Sequence, residues 1–166
     1  MSRSLSERQD AVKPGEPEPV HHTPAGEAFT DLVVSVFRLN SVLAAAGEDL
    51  AAPSGQTSAR WRVLAAIDEA PLTVAQIGRR WGLARQSVQR VADELADDRL
   101  VVYRGNPDHR RAKLVALTSR GRSTLRKIQV AQRAWADAHG SVIGEKDLRA
   151  ATEALSRVLD VISRGP

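Results

Sequence analysis

The sequence predicts a mainly helical protein with one small β-hairpin, four helices before the hairpin and two after it. Three observations carry this reading. Apolar residues recur at helical spacing in six segments. Caps and breakers punctuate those segments, among them Thr23-Pro24, Pro53-Ser54-Gly55, Pro71, Thr73, Gly82, Thr118 and Gly144. Two short apolar runs, Leu100–Tyr103 and Leu114–Leu117, flank a stretch containing Gly105-Asn106-Pro107-Asp108, which is turn chemistry suited to joining strands.

Residues 1–22 are rich in Ser, Glu and Pro and nearly free of large apolar side chains, so they are expected to form a flexible tail. Thr23 is placed to cap the first helix, with Pro24 at its first position. That helix carries Phe29, Leu32, Val33, Val36, Phe37, Leu39, Val42 and Leu43 and is expected to end before Pro53. The second runs from about Ser58 to Glu69, with Trp61, Val63, Leu64 and Ile67 inward. Thr73 caps a short third helix, Gly82 breaks it, and a fourth spans about Arg85 to Asp98. After the hairpin, Thr118 caps a fifth helix. Gly140 and Gly144 separate it from a last one striped with Leu148, Leu155, Val158, Leu159 and Ile162. The apolar excess of the outer helices exceeds what one small core absorbs, which points to a subunit interface.

A chain of 166 residues, 42% hydrophobic, suits one globular domain. It has no cysteine, which excludes disulfides, thiolate zinc sites and thiol switches. No unbroken run of about 18 apolar residues is present and no apolar segment follows the N-terminus, so neither a membrane partner nor a signal peptide is expected. A cytoplasmic location is the default. Charge is unevenly placed. Between Ala75 and Lys127 there are 13 Lys/Arg against 5 Asp/Glu, in a chain whose net charge is only +4. A basic middle between acidic ends marks a localised polyanion contact, although a solvated helical surface gives the same count.

Val74 to Leu95 reads as a helix-turn-helix. Ile77, Trp81, Leu83, Val88 and Val91 are spaced to share one core across a sharp turn. Gly82 supplies the left-handed residue, and Gly78 permits close approach. The exposed positions of the second helix are then Arg85, Gln86, Ser87, Gln89 and Arg90, side chains that suit the edges of bases in a DNA major groove. The hairpin adds a basic wing. Its tip holds Asn106, His109, Arg110 and Arg111, with Arg104 and Lys113 on the strands, placed to reach phosphate or an adjacent minor groove. The two elements together, in this order, form a winged helix-turn-helix.

The stretches Pro71-Leu-Thr-Val-Ala-Gln-Ile-Gly, Gln86-Ser-Val-Gln-Arg-Val-Ala-Asp-Glu-Leu and Asn106-Pro-Asp-His-Arg-Arg-Ala-Lys-Leu-Val-Ala-Leu-Thr, with Gly121, resemble the MarR family. The match runs from about Phe29 to the C-terminus, and the wing with Leu117-Thr118 is its most specific part. The resemblance implies a homodimer on double-stranded DNA, usually a repressor on a roughly palindromic operator, released by a small ligand. The implied organisation is a tail at 1–22, an N-terminal dimerisation helix at 23–56, a DNA-binding domain at 57–118 and C-terminal dimerisation helices at 119–166. It selects Arg111 for the minor groove. It also places an effector pocket near Phe37, Arg38, Asn40 and Trp61, although each of these residues suits core or interface better than ligand contact. Two departures stand out. The family's wing Asp, three residues before Ala112, is His109 here, so either Asp108 one residue earlier substitutes for it or His109 itself touches phosphate. The usual Ser or Thr cap of the recognition helix is Ala84.

An enzyme would need a nucleophile with its base, a metal set or a phosphate loop, and the sequence shows none of these. The four histidines, His21, His22, His109 and His139, are scattered. Asp93, Glu94, Asp97 and Asp98 follow one another along a helix, with Asp93 positioned to support Arg90 or Arg111. No metal or cofactor is expected, only an effector of unknown identity. The rival reading is a winged helix that binds protein, which would not require a basic wing tip together with Arg85 and Arg90.

Overall fold

Helix α1 of the computed structural model runs over Pro24–Ala51, and the structure describes residues 23–109 and 111–165. The expected N-terminal tail (1–22) and Arg110 lie outside the described residues. The chain divides into two units, Met1–Asn40 and Ser41–Pro166.

In the first unit, the Thr23 hydroxyl accepts the Gly26 N–H at 3.1 Å, as its place before Pro24 predicts. Phe29, Val34, Val36, Phe37 and Leu39 are exposed along α1. By length and composition alone, Pro24–Ser54 contains an 18-residue window apolar enough to cross a membrane, although no unbroken apolar run exists. Scattered Ser, Asn and Arg residues interrupt the run without lowering the average much.

In the second unit, α1 ends at Ala51 and a single 3-10 turn, Ala52–Ser54, carries Pro53. Gly47 and Ala51 are buried. A Cβ on Gly47 would sit 2.9 Å from the Ser58 hydroxyl, so this glycine sets how closely the end of α1 meets α2 (Ser58–Ala66). Strand β1 (Leu72–Thr73) leads directly into α3 (Val74–Trp81). Thr73 closes a full capping box there, its hydroxyl accepting the Gln76 N–H and its own N–H donating to the Gln76 side chain. Helix α4 (Arg85–Asp97) follows the turn.

Strands β2 (Val101–Arg104) and β3 (Leu114–Leu117) form the expected antiparallel hairpin, pairing Val101 with Leu117 and Arg104 with Leu114. The sheet has a third member, because β1 pairs with β3 on its other side, giving the order β1-β3-β2. Two residues are too few to show a strand alternation in sequence. Helix α5 (Ser119–Ile143) starts from the Thr118 cap, and α6 (Glu145–Arg164) follows Gly144. Gly140 lies inside α5 and does not break it, so Gly144 alone separates the two helices.

The core gathers Val63 and Leu64 of α2, Ile77 of α3, Val88 and Leu95 of α4, Val115 of β3 and Leu125 of α5, all fully buried. Trp81 departs from expectation. It closes α3 on the outer side of the turn, is 43% exposed and contributes nothing to the shared core. Helix α6 buries no residue among those described; Leu148, Leu159, Val161 and Ile162 are exposed on it.

Candidate nucleic-acid interface

The geometry of the turn fixes where α4 points. Gly82 has φ 63°, the left-handed conformation that favours glycine, and the Leu83 N–H returns to the Gly78 carbonyl at 2.9 Å. A Cβ on Gly78 would stand 2.8 Å from the Leu83 carbonyl oxygen, so the close approach is between helix α3 and the backbone of the turn. Val88 and Val91 then face inward, while Arg85, Gln86, Ser87 and Arg90 are exposed. The N-terminus of α4 has neither a side-chain cap at Ala84 nor an acidic residue in its first turn, and it carries Arg85. A helix N-terminus is already positive, so this arrangement is electrostatically suited to an anion.

The wing stands beside this helix. The Asn106 side-chain oxygen accepts the Asp108 N–H at 3.0 Å, closing the start of the turn, and the Ala112 N–H donates to the His109 carbonyl at 3.0 Å. His109, Arg111, Lys113 and Arg104 are exposed, and Asn106 is half-buried. Arg85 and Gln89 of α4 and His109, Arg111 and Lys113 of the wing line one cleft of about 570 Å³, which Thr73, Asp93 and Tyr103 also line. The structure thus brings together residues that lie up to 40 positions apart in sequence. Among the described residues, Asp108 forms no ion pair with Arg111.

Two members of the expected set differ in their surroundings. Arg90 pairs with Glu94 one turn further on, at 2.6 Å, and not with Asp93. Gln89 is half-buried, and its amide nitrogen donates to Asp93 Oδ1 at 2.9 Å and to the Tyr103 hydroxyl at 2.8 Å. The Tyr103 hydroxyl donates in turn to Asp93 Oδ1 at 2.6 Å. Burial, then the hydrogen bond and charge of Asp93, push the Tyr103 phenol well above its ordinary range, against a smaller opposite effect of Gln89, so the hydroxyl stays a donor. Asp93, expected to support Arg90 or Arg111, is instead bonded to Gln89 and Tyr103, and Tyr103 is a residue that the sequence did not mark. Asp93 follows Gln89 by four and Arg85 by eight, which places all three on one helix face. Tyr103 shares the inward side of β2 with Val101.

Of the residues expected near an effector pocket, Phe37, Arg38 and Asn40 are exposed on α1 in the first unit. In the second unit, Trp61 lines a cleft of about 240 Å³ together with Trp81, Arg62, Leu43, Gly47 and Ser58.

The model of the MarR family matches residues 54–112, from the end of the 3-10 turn through the wing tip. An uncharacterized protein of Mycobacterium tuberculosis, and its counterpart in Mycobacterium bovis, is 46% identical over 97 residues, covering 58% of this chain and 68% of the relative. AbsC, a MarR family transcriptional regulator from Streptomyces coelicolor, has the same fold at a TM-score of 0.73 and 18% identity, over 88% of this chain and 99% of its own. CouR from Rhodococcus jostii RHA1, solved with p-coumaroyl-CoA bound, aligns at a TM-score of 0.70 and 22% identity, over 77% of this chain and 91% of its own.

Proposed function

The chain belongs to the MarR family, and from that premise we propose that it is a transcriptional regulator that binds double-stranded DNA as a homodimer. The single observation that carries the reading is the cationic cleft between α4 and the wing, where Arg85, His109, Arg111 and Lys113 converge beside an uncapped helix N-terminus. Phosphate is the anion that such a site accepts, and the exposed Gln86, Ser87 and Arg90 are then directed at base edges. Arg111 enters the flanking minor groove. Helices α1, α5 and α6 form the dimer interface, a reading supported by the exposure of Leu159 and Ile162 on α6 and of many apolar residues on α1. The apolar content of α1 is accordingly assigned to a partner subunit and not to a lipid bilayer.

Regulation by a ligand is the second half of the reading. The cleft holding Trp61, Trp81 and Arg62 suits a small aromatic acid, with indole rings for its plane and a guanidinium for its carboxylate. It touches both α2 and the last residue of α3, so an occupant would bear on the helix-turn-helix. Release of DNA by such a ligand would make the protein a repressor.

The test is a gel shift on the promoter upstream of its own coding region, with non-specific DNA as competitor, followed by a screen of aromatic acids for release. Retention on the specific fragment at a competitor excess that clears non-specific complexes is expected. Equal displacement from both would leave only a general polyanion binder.

A further inference from the structure

Gln89, Asp93 and Tyr103 close a three-membered ring of hydrogen bonds at the junction of α4 and β2. Its chemistry fixes the orientation of the amide. A carboxylate only accepts hydrogen bonds, so the nitrogen end of the Gln89 amide must face Asp93. The Tyr103 hydroxyl spends its one hydrogen on Asp93 and therefore accepts from the same nitrogen. The two acceptors are only 2.6 Å apart, so the three atoms form a nearly equilateral triangle and the acceptors are separated, as seen from the nitrogen, by much less than the angle between its two N–H bonds. One N–H shared between them serves both, and the second N–H and the carbonyl oxygen remain available in a set orientation.

Gln89 also borders the outer groove of α4 that Gln86 and Arg90 line. A free glutamine amide there could rotate and offer either its donor or its acceptor end to a base edge, which blurs discrimination among base pairs. We propose that Tyr103 and Asp93 are positioning residues that fix the Gln89 amide and so sharpen base preference at one operator position. This rests on the reading that α4 enters the major groove. It goes beyond it by giving a wing-strand residue that reaches no base a role in sequence choice.

The experiment is selection of bound sequences from a random DNA library by the full-length protein and its Gln89→Ala, Tyr103→Phe and Asp93→Ala variants, with thermal melting to confirm that each is folded. Gln89→Ala should flatten preference at one base pair per half-site. Tyr103→Phe should flatten the same base pair by threefold or more and leave the other positions unchanged, and the Tyr103→Phe/Asp93→Ala double variant should flatten it no further than Gln89→Ala. If Tyr103→Phe weakens binding to all sequences alike with an unaltered profile, or flattens a different position, the proposal is overturned. A Gln89→Ala profile identical to the parent also overturns it, while leaving DNA binding intact. A parent protein that enriches no sequence removes the underlying reading as well.

Discussion

Arg90 and Glu94 illustrate how a surface ion pair differs from a commitment. Arg90 is 70% exposed and Glu94 45%, so their attraction is screened by water and worth little. The guanidinium can leave it for the O6 and N7 of a guanine at small cost. Arg90→Ala should therefore lose about 1–3 kcal/mol on the preferred operator and relax preference at one position, measured by titration on single-base operator variants. Equal weakening on every sequence would make Arg90 a phosphate contact. Gly78 makes the matching prediction for stability. Its absent Cβ is set against the Leu83 carbonyl, which is backbone and cannot rotate away, so Gly78→Ala should destabilise by about 1–3 kcal/mol in urea unfolding. Gly78 was legible in sequence because a small residue at a helix-turn-helix crossing has a steric meaning. Asp93 was not. Its carboxylate had Arg90 and Arg111 as apparent partners, and sequence spacing does not reveal that Glu94 takes the first and that Tyr103 reaches back from a strand.

Among the elements, the wing and helix α4 were readable because each depends on local chemistry. Thr73, Gly82 and Thr118 do in the structure what their residue types predict at helix ends. The strand β1 was hidden because its two residues gain their conformation from β3, a partner more than 40 residues away. Trp81 was misplaced because helical spacing counts it with Ile77 and Gly78, whereas the start of the turn leaves it on the outer edge. The basic residues of the wing divide by position. Arg111 lines the cleft beside α4, so Arg111→Ala should weaken binding most on operators with A·T-rich flanks, where a narrow minor groove attracts a guanidinium. Lys113→Ala should instead lower affinity alike on all flanks and reduce the dependence on salt. Titrations of both variants on A·T-rich and G·C-rich flanks separate the two roles. Flank dependence in Lys113→Ala and not in Arg111→Ala would shift the assigned contact from one residue to the other.

For the whole molecule, the surface left over is as informative as the core. Leu159 and Ile162 are 64% and 58% exposed on a helix that buries none of its own residues, so changing them should not disturb the fold of the subunit. Leu159→Asp with Ile162→Asp is expected to yield folded monomers by sedimentation and to cost most of the DNA affinity; an unchanged dimer would move the interface elsewhere. With no cysteine, and the Met1 thioether as the single sulfur, the chain has no thiol to sense oxidants, so mild peroxide should not alter DNA affinity. In the proposed dimer, two copies each present one α4 and one wing to consecutive turns of a duplex. Selection of bound DNA from a random library by the full-length protein decides whether they do. A roughly palindromic motif is expected, with half-site centres about 10 base pairs, or about 34 Å, apart. A single unrepeated half-site, or no enriched sequence at all, would contradict it.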